Sequence, residues 1–244
     1  KRLLFYIKII LKFFFMYFLK KLIKKFLWRI GKPLSDLFFL SHSQFHNNPF
    51  GEKLYAKDIH SYEKNFKESV SLENHPILKN DSFLEFEPNK EFIFNLAFKL
   101  QNVIKKSRNS FIHGFILSSL LEKYLSNFKN ENNSFNIVDI GTARGFSSLC
   151  MANVLEKLNI SAKIFTFDLI TNRKKFYWNG PSDFLEGHAS RMELLKPWHY
   201  LVYKYIVFFS VATYHSLRVV DIPLINFAFI DGSHTFNDVY FEIN

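Results

Sequence analysis

The stretch Asn136-Ile-Val-Asp-Ile-Gly-Thr-Ala-Arg-Gly-Phe-Ser-Ser-Leu149 leaves the chain few ways to fold. It opens with a short, β-branched run, Ile137 to Ile140, that reads as a buried strand. Gly141 and Gly145 then bracket a tight loop. From Phe146 the period changes: Phe146, Leu149, Cys150, Val154 and Leu158 recur at helical spacing on one face. Strand, glycine loop and helix in this order aim backbone N–H groups and a helix N-terminus at a ligand.

The position of the acid narrows the ligand. Dinucleotide folds space their glycines G-x-G-x-x-G so that the backbone can approach a pyrophosphate. Here Asp139 stands two residues ahead of Gly141, and three residues separate Gly141 from Gly145. A carboxylate there repels a pyrophosphate and suits an ammonium group or the water around one. The competing reading is an ordinary strand-to-helix turn. Two later stretches bear on the choice. Lys163-Ile-Phe-Thr-Phe-Asp168 is a second strand candidate ending in an acid, placed to take ribose hydroxyls. Ile225 to Ile230 is a further strand, closing on Asp231 and His234. Each acid could instead cap the helix that follows it.

Charge is concentrated at one end. Residues 1–30 hold nine Lys or Arg and no acid, while the remaining residues hold 23 basic and 22 acidic groups, so +9 of the net +10 belongs to one segment. Nucleic-acid binding needs a basic face on the folded body, and none is implied. The other 21 residues of that segment are apolar, but Lys8 and Lys12 interrupt any window of the ~20 residues needed for a span. We expect a helix lying on an anionic membrane surface, its lysines snorkelling, with the protein cytoplasmic and peripheral at the inner face of the membrane. The alternatives are a helix docked on the domain or a true span. Cys150 is the only cysteine, which excludes a disulfide framework and a cysteine-based metal site.

Gly31-Lys32-Pro33 ends the first helix. Residues 31–134 form an N-terminal helical and irregular region. Its histidines 42, 46, 60 and 75 lack metal-ligand spacing. Helices are expected over Lys90–Lys106 and Phe111–Phe128, and His113-Gly114 reads as a buried neutral histidine that could otherwise lie over a cofactor mouth. Lys129–Ser134 is a polar linker and the expected boundary of a domain over 135–244.

That domain alternates strand and helix, which argues an α/β fold with a Rossmann-like parallel sheet. Strands are expected at 136–140, 163–168, Tyr205–Val211 and 225–231, with a helix over 189–203. Residues 169–188, carrying Phe176, Tyr177 and Trp178, read as a lid or substrate wall.

With these pieces placed, the chain resembles the class I S-adenosylmethionine-dependent methyltransferases, and within them a bacterial small-molecule and sugar O-methyltransferase-like group. The likeness rests on the Asp139–Gly145 loop, on Gly187–Trp198, on Tyr205–Phe209 and on Phe229-Ile-Asp-Gly-Ser-His-Thr-Phe236, and covers about residues 111–244. It implies sheet order 3-2-1-4 and S-adenosylmethionine as cofactor. Asp139, Gly141, Thr142, Ala143 and Gly145 would then hold the methionine end, Asp168 the ribose, and Ala212 and Thr213 the adenine. Asp231 or His234 would remove the acceptor proton, and in metal-dependent relatives an acid at the position of Asp231 holds Mg2+. The expected activity is O-methylation of a small molecule, sugar or lipid-linked acceptor. The family's sheet has seven strands, so the chain is expected to be a fragment ending after the fourth. Rival readings are an NAD-type Rossmann enzyme and a non-catalytic, membrane-attached nucleotide-binding module.

Overall fold

The computed structural model describes residues 49–50, 58–70, 86–105, 109–128, 134–211 and 220–232, together with Leu19, Phe26 and Arg29. Residues 1–46 and 47–244 are two compact units. The basic segment 1–30 lies outside the described residues except at those three positions, which are helical and exposed. His42, His46 and His75 also lie outside them. Among the described residues, no helix is long and apolar enough to cross a membrane.

In the second unit the elements run α1 (Ile59–Val70), α2 (Lys90–Leu100), α3 (Ile112–Ser126), β1 (Phe135–Ile140), α4 (Phe146–Leu158) and β2 (Ala162–Asp168). Then follow α5 (Pro181–Glu186), α6 (Arg191–Leu194), a 3-10 turn (Lys196–Trp198), α7 (His199–Tyr205), β3 (Ile206–Ser210) and β4 (Phe227–Ile230). The four strands form one parallel sheet in the order β3-β2-β1-β4, the expected α/β arrangement. The chain therefore reverses direction between β1 and β4, and a crevice opens at their carboxyl ends.

Alternation along the strands sorts side chains to two faces. Phe135, Ile137, Ala162 and Ile164 join one large core with Leu149, Cys150, Ala152 and Val154 of α4. That core continues into Phe115 and Leu121 of α3 and Ile93, Leu96 and Leu100 of α2, so these helices share it with the sheet despite the linker expected between them. Each fully buried Val, Leu, Ile or Phe among them contributes ~1.5–3 kcal/mol. The opposite face carries a smaller cluster, Val138, Ile140 and Phe167, with Phe209 stacked on Phe167 at 4.9 Å.

Three expected elements differ. The helix expected over 90–106 stops at Leu100, because the Asn102 side chain turns inward to donate to the Tyr62 carbonyl at 2.9 Å and accept from Asn65 at 2.9 Å. The helix expected over 189–203 is broken into α6, the 3-10 turn and α7, with Pro197 inside the turn. Tyr205 accordingly ends α7, its hydroxyl donating to Glu156 at 2.7 Å, and β3 begins one residue later. The segment 169–188, expected as a lid or substrate wall, packs closely: Phe176 bridges to Ala189, the Trp178 indole donates to the Ala189 carbonyl at 2.9 Å, and both rings are buried.

Candidate functional site

The glycine loop joins β1 to α4 at the reversal point of the sheet. Gly141 has φ +92°, and a Cβ there would lie 2.1 Å from the carbonyl oxygen of Asp231. Only glycine permits both that conformation and that approach. The Asp231 amide donates to the Ile140 carbonyl at 2.8 Å, so the exposed end of β4 is tied directly to the start of the loop. Gly145 has φ +89°, and its missing side chain accommodates Leu195. Ala143 is also left-handed, at φ +44°, which costs ~1–2 kcal/mol without a compensating contact. Two contacts compensate: its amide donates to Asp168 Oδ2 at 2.6 Å, and its carbonyl accepts from Arg191 Nε at 2.9 Å.

Asp139, expected at the methionine end of the cofactor, is enclosed. It lies beneath the loop with no exposed surface. Its carboxylate accepts from Ser147 Oγ at 2.9 Å, from the Ser148 hydroxyl and from Thr166 Oγ1 at 3.3 Å. Burial outweighs these hydrogen bonds and pushes its pKa up to about 6. Thr142 reaches the same network through a hydroxyl contact with Thr166.

Asp168 lies at the rim, its side chain 11% exposed. Besides the Ala143 amide it accepts the Ile170 amide at 2.7 Å, through Oδ1. Arg191, fully buried, places its guanidinium 3.6 Å from that oxygen and donates to Asn172 Oδ1 at 2.5 Å. Each Asp168 oxygen keeps a lone pair for a further donor.

Arg144 points away from the crevice. Its guanidinium donates to the Trp178 carbonyl, lies 4.1 Å from the Phe50 ring and is drawn toward Asp183. Burial pushes its pKa down to about 10, with Asp183 opposing. The loop is thus anchored to the packed segment that follows β2.

His113, in the first turn of α3, reaches the crevice. A Cβ on Gly114 would lie 2.6 Å from Phe146, so this glycine is what lets α3 approach the start of α4. The imidazole then meets Phe146 edge-on at 4.9 Å and stacks on Phe229 of β4 at 6.2 Å, with planes 5° apart. It is half-buried rather than enclosed. Burial lowers its pKa and the nearby Asp231 opposes the shift.

The structure therefore brings together Gly141, Thr142, Ala143, Gly145, Asp168 and Asp231. Ala212, Thr213 and His234 lie outside the described residues. Among the described residues no group of three or more His, Cys, Asp or Glu could hold a metal ion, so a Mg2+ role for Asp231 has no support there. Sequence reasoning missed Arg144 and Arg191 as supports of the loop. Ser190 and Glu193 form a Ser-x-x-Glu capping box that marks the start of α6, but nothing in it points to the role of Arg191.

Residues 138–244 match the family model for a methyltransferase domain. That match supports methyl transfer as the activity and implies S-adenosylmethionine as the methyl donor. No curated protein matches the chain. The residues present fit such a cofactor. Asp168 retains acceptor capacity at the rim for hydroxyls, and the Arg144 cation is directed elsewhere, so it does not oppose a positively charged ligand.

Proposed function

We propose that the protein is an S-adenosylmethionine-dependent O-methyltransferase acting on a small-molecule, sugar or lipid-linked hydroxyl. The observation that carries this reading is the joining of the glycine loop to both the β2 acid and the end of β4. Ala143 binds Asp168 on one side, and Gly141 abuts Asp231 on the other. One crevice thus offers a cofactor rim and an acceptor side at the reversal point of the sheet.

Bound cofactor would supply a sulfonium methyl group activated for displacement. The chain's own work is to position and orient. In this reading Asp168 accepts the ribose hydroxyls, and Gly141, Thr142, Ala143 and Gly145 shape the cradle for the methionine end. Asp139 acts on that end through Ser147 and Ser148 rather than by direct contact, since its carboxylate is enclosed. Ala212 and Thr213 border the adenine, and Asp231 and His234 flank the acceptor.

Calorimetry with S-adenosylmethionine on the full chain and on Asp168→Ala tests the reading. The wild type should bind, and the variant should bind at least ~10-fold more weakly, the loss of about one charged hydrogen-bonding pair. Equal affinity in the two proteins would remove Asp168 from the cofactor site.

A further inference from the structure

His113 is a titratable group at this crevice, read from the sequence as a buried neutral histidine that could otherwise lie over a cofactor mouth. Its position is built, not incidental. Gly114 draws α3 onto Phe146, the first residue of the helix that follows the glycine loop. Phe229, two residues before Asp231, supplies the flat surface on which the imidazole stacks. The ring is thereby fixed between the N-terminus of α4 and the carboxyl end of β4, across from the rim that Asp168 marks. Neither ring nitrogen has a hydrogen-bond partner among the described residues, and the ring is partly exposed.

We propose that His113 is the base on the acceptor side of this crevice, an inference that rests on the methyltransferase reading above. The acceptor oxygen forms its bond to the methyl carbon. The carbon–sulfur bond breaks with its electron pair remaining on sulfur, and the hydroxyl proton passes to an imidazole nitrogen. Phe146 and Phe229, which touch the ring, are uncharged, and the charged group acting on it among the described residues is Asp231. Burial keeps the imidazole neutral and ready to accept a proton, and the Asp231 carboxylate stabilises the imidazolium that forms. Asp231 is then a positioning and electrostatic partner of His113.

The test needs no knowledge of the acceptor. S-adenosylmethionine and S-adenosylhomocysteine differ by one methyl group and one positive charge, and that charge lies where the proposal puts the imidazole's reaction partner. The His113 ring proton is followed by NMR through a pH titration of the full chain saturated with each compound, its signal assigned by its loss in His113→Phe. His113 should titrate at least about half a pH unit lower with S-adenosylmethionine, as a cation within ~8–10 Å requires. His113→Phe, which keeps an aromatic ring between Phe146 and Phe229, should bind S-adenosylhomocysteine within about two-fold of wild type. Identical His113 titration in both complexes would overturn the proposal. So would a tenfold loss of S-adenosylhomocysteine affinity in His113→Phe, which would move the residue to the cofactor side. Failure of both compounds to bind the wild type would overturn the methyltransferase reading itself, an outcome separate from either of these.

Discussion

Asp139 under the glycine loop and Asp168 at its rim each stand near the carboxyl end of a neighbouring parallel strand, yet the structure handles them in opposite ways. The floor acid is enclosed by three hydroxyls, and burial raises its pKa to about 6. The rim acid is bound by two backbone amides, has a buried arginine beside it and retains some exposure. Register explains the split. Asp139 pairs with Thr166, one turn of the pleat before the strand ends, so its side chain enters the core face under α4. Asp168 closes β2 and emerges where the sheet gives way to loop. One residue type therefore serves as buried support in one place and stands partly exposed at the rim in the other.

The comparison is broken most severely at Gly141, which holds floor and rim to β4. Gly141→Ala would place a methyl group 2.1 Å from the Asp231 carbonyl oxygen on a backbone at φ +92°. The end of β4 must then move or the loop must rebuild. We expect a loss of about 4 kcal/mol or more in urea unfolding, or no folded protein. A loss under about 1 kcal/mol would mean that the loop and β4 are not locked together as described.

Arg191 sharpens the rim side. Arg191→Met keeps the aliphatic bulk and leaves the Ala143 carbonyl, Asn172 Oδ1 and one flank of Asp168 without their partner. We expect destabilisation of about 2–4 kcal/mol, since breaking a buried charged contact strands the remaining groups. Weaker S-adenosylmethionine binding should accompany it, because the left-handed Ala143 loses one of its two restraints. Wild-type stability in this variant would show the rim to be held by the Asp168 amide contacts alone.

The strands were legible from the sequence, because β-branched and aromatic runs ending in Asp168 and Asp231 mark them, while their order 3-2-1-4 came only from the family resemblance. The glycines were legible for the same local reason. The division of labour between the acids was not. Which face Asp139 occupies depends on pairing register, and its partners Ser147, Ser148 and Thr166 are ordinary residues whose significance appears only when α4 packs on the sheet. Arg144 and Arg191 were hidden differently: both reach backbone carbonyls far along the chain, at Trp178 and Ala143, and backbone acceptors leave no trace in a sequence. His113 was visible as a histidine beside a glycine, but its neighbour Phe229 lies more than a hundred residues away.

The smallest effect, and the one most specific to the floor, belongs to Asp139→Asn. The amide keeps the shape of the protonated carboxyl group and can still accept from Ser147 or Ser148, so stability at pH 4 should change by no more than about 1 kcal/mol either way. The signature is the pH dependence. The Asp139 pKa is raised from 3.8 to about 6 on folding. Between those values the folded protein binds a proton at Asp139 that the unfolded chain does not. This group's stabilising contribution is therefore fully present below pH ~3.8 and is lost as pH rises through about 6. Urea unfolding from pH 4 to pH 7 should show that decline in the wild type superimposed on the other carboxylates, and Asp139→Asn should lack it. If the two proteins give parallel profiles, Asp139 ionises freely in the folded state. The floor would then have to be as open to solvent as the rim, and the contrast between the two acids would disappear.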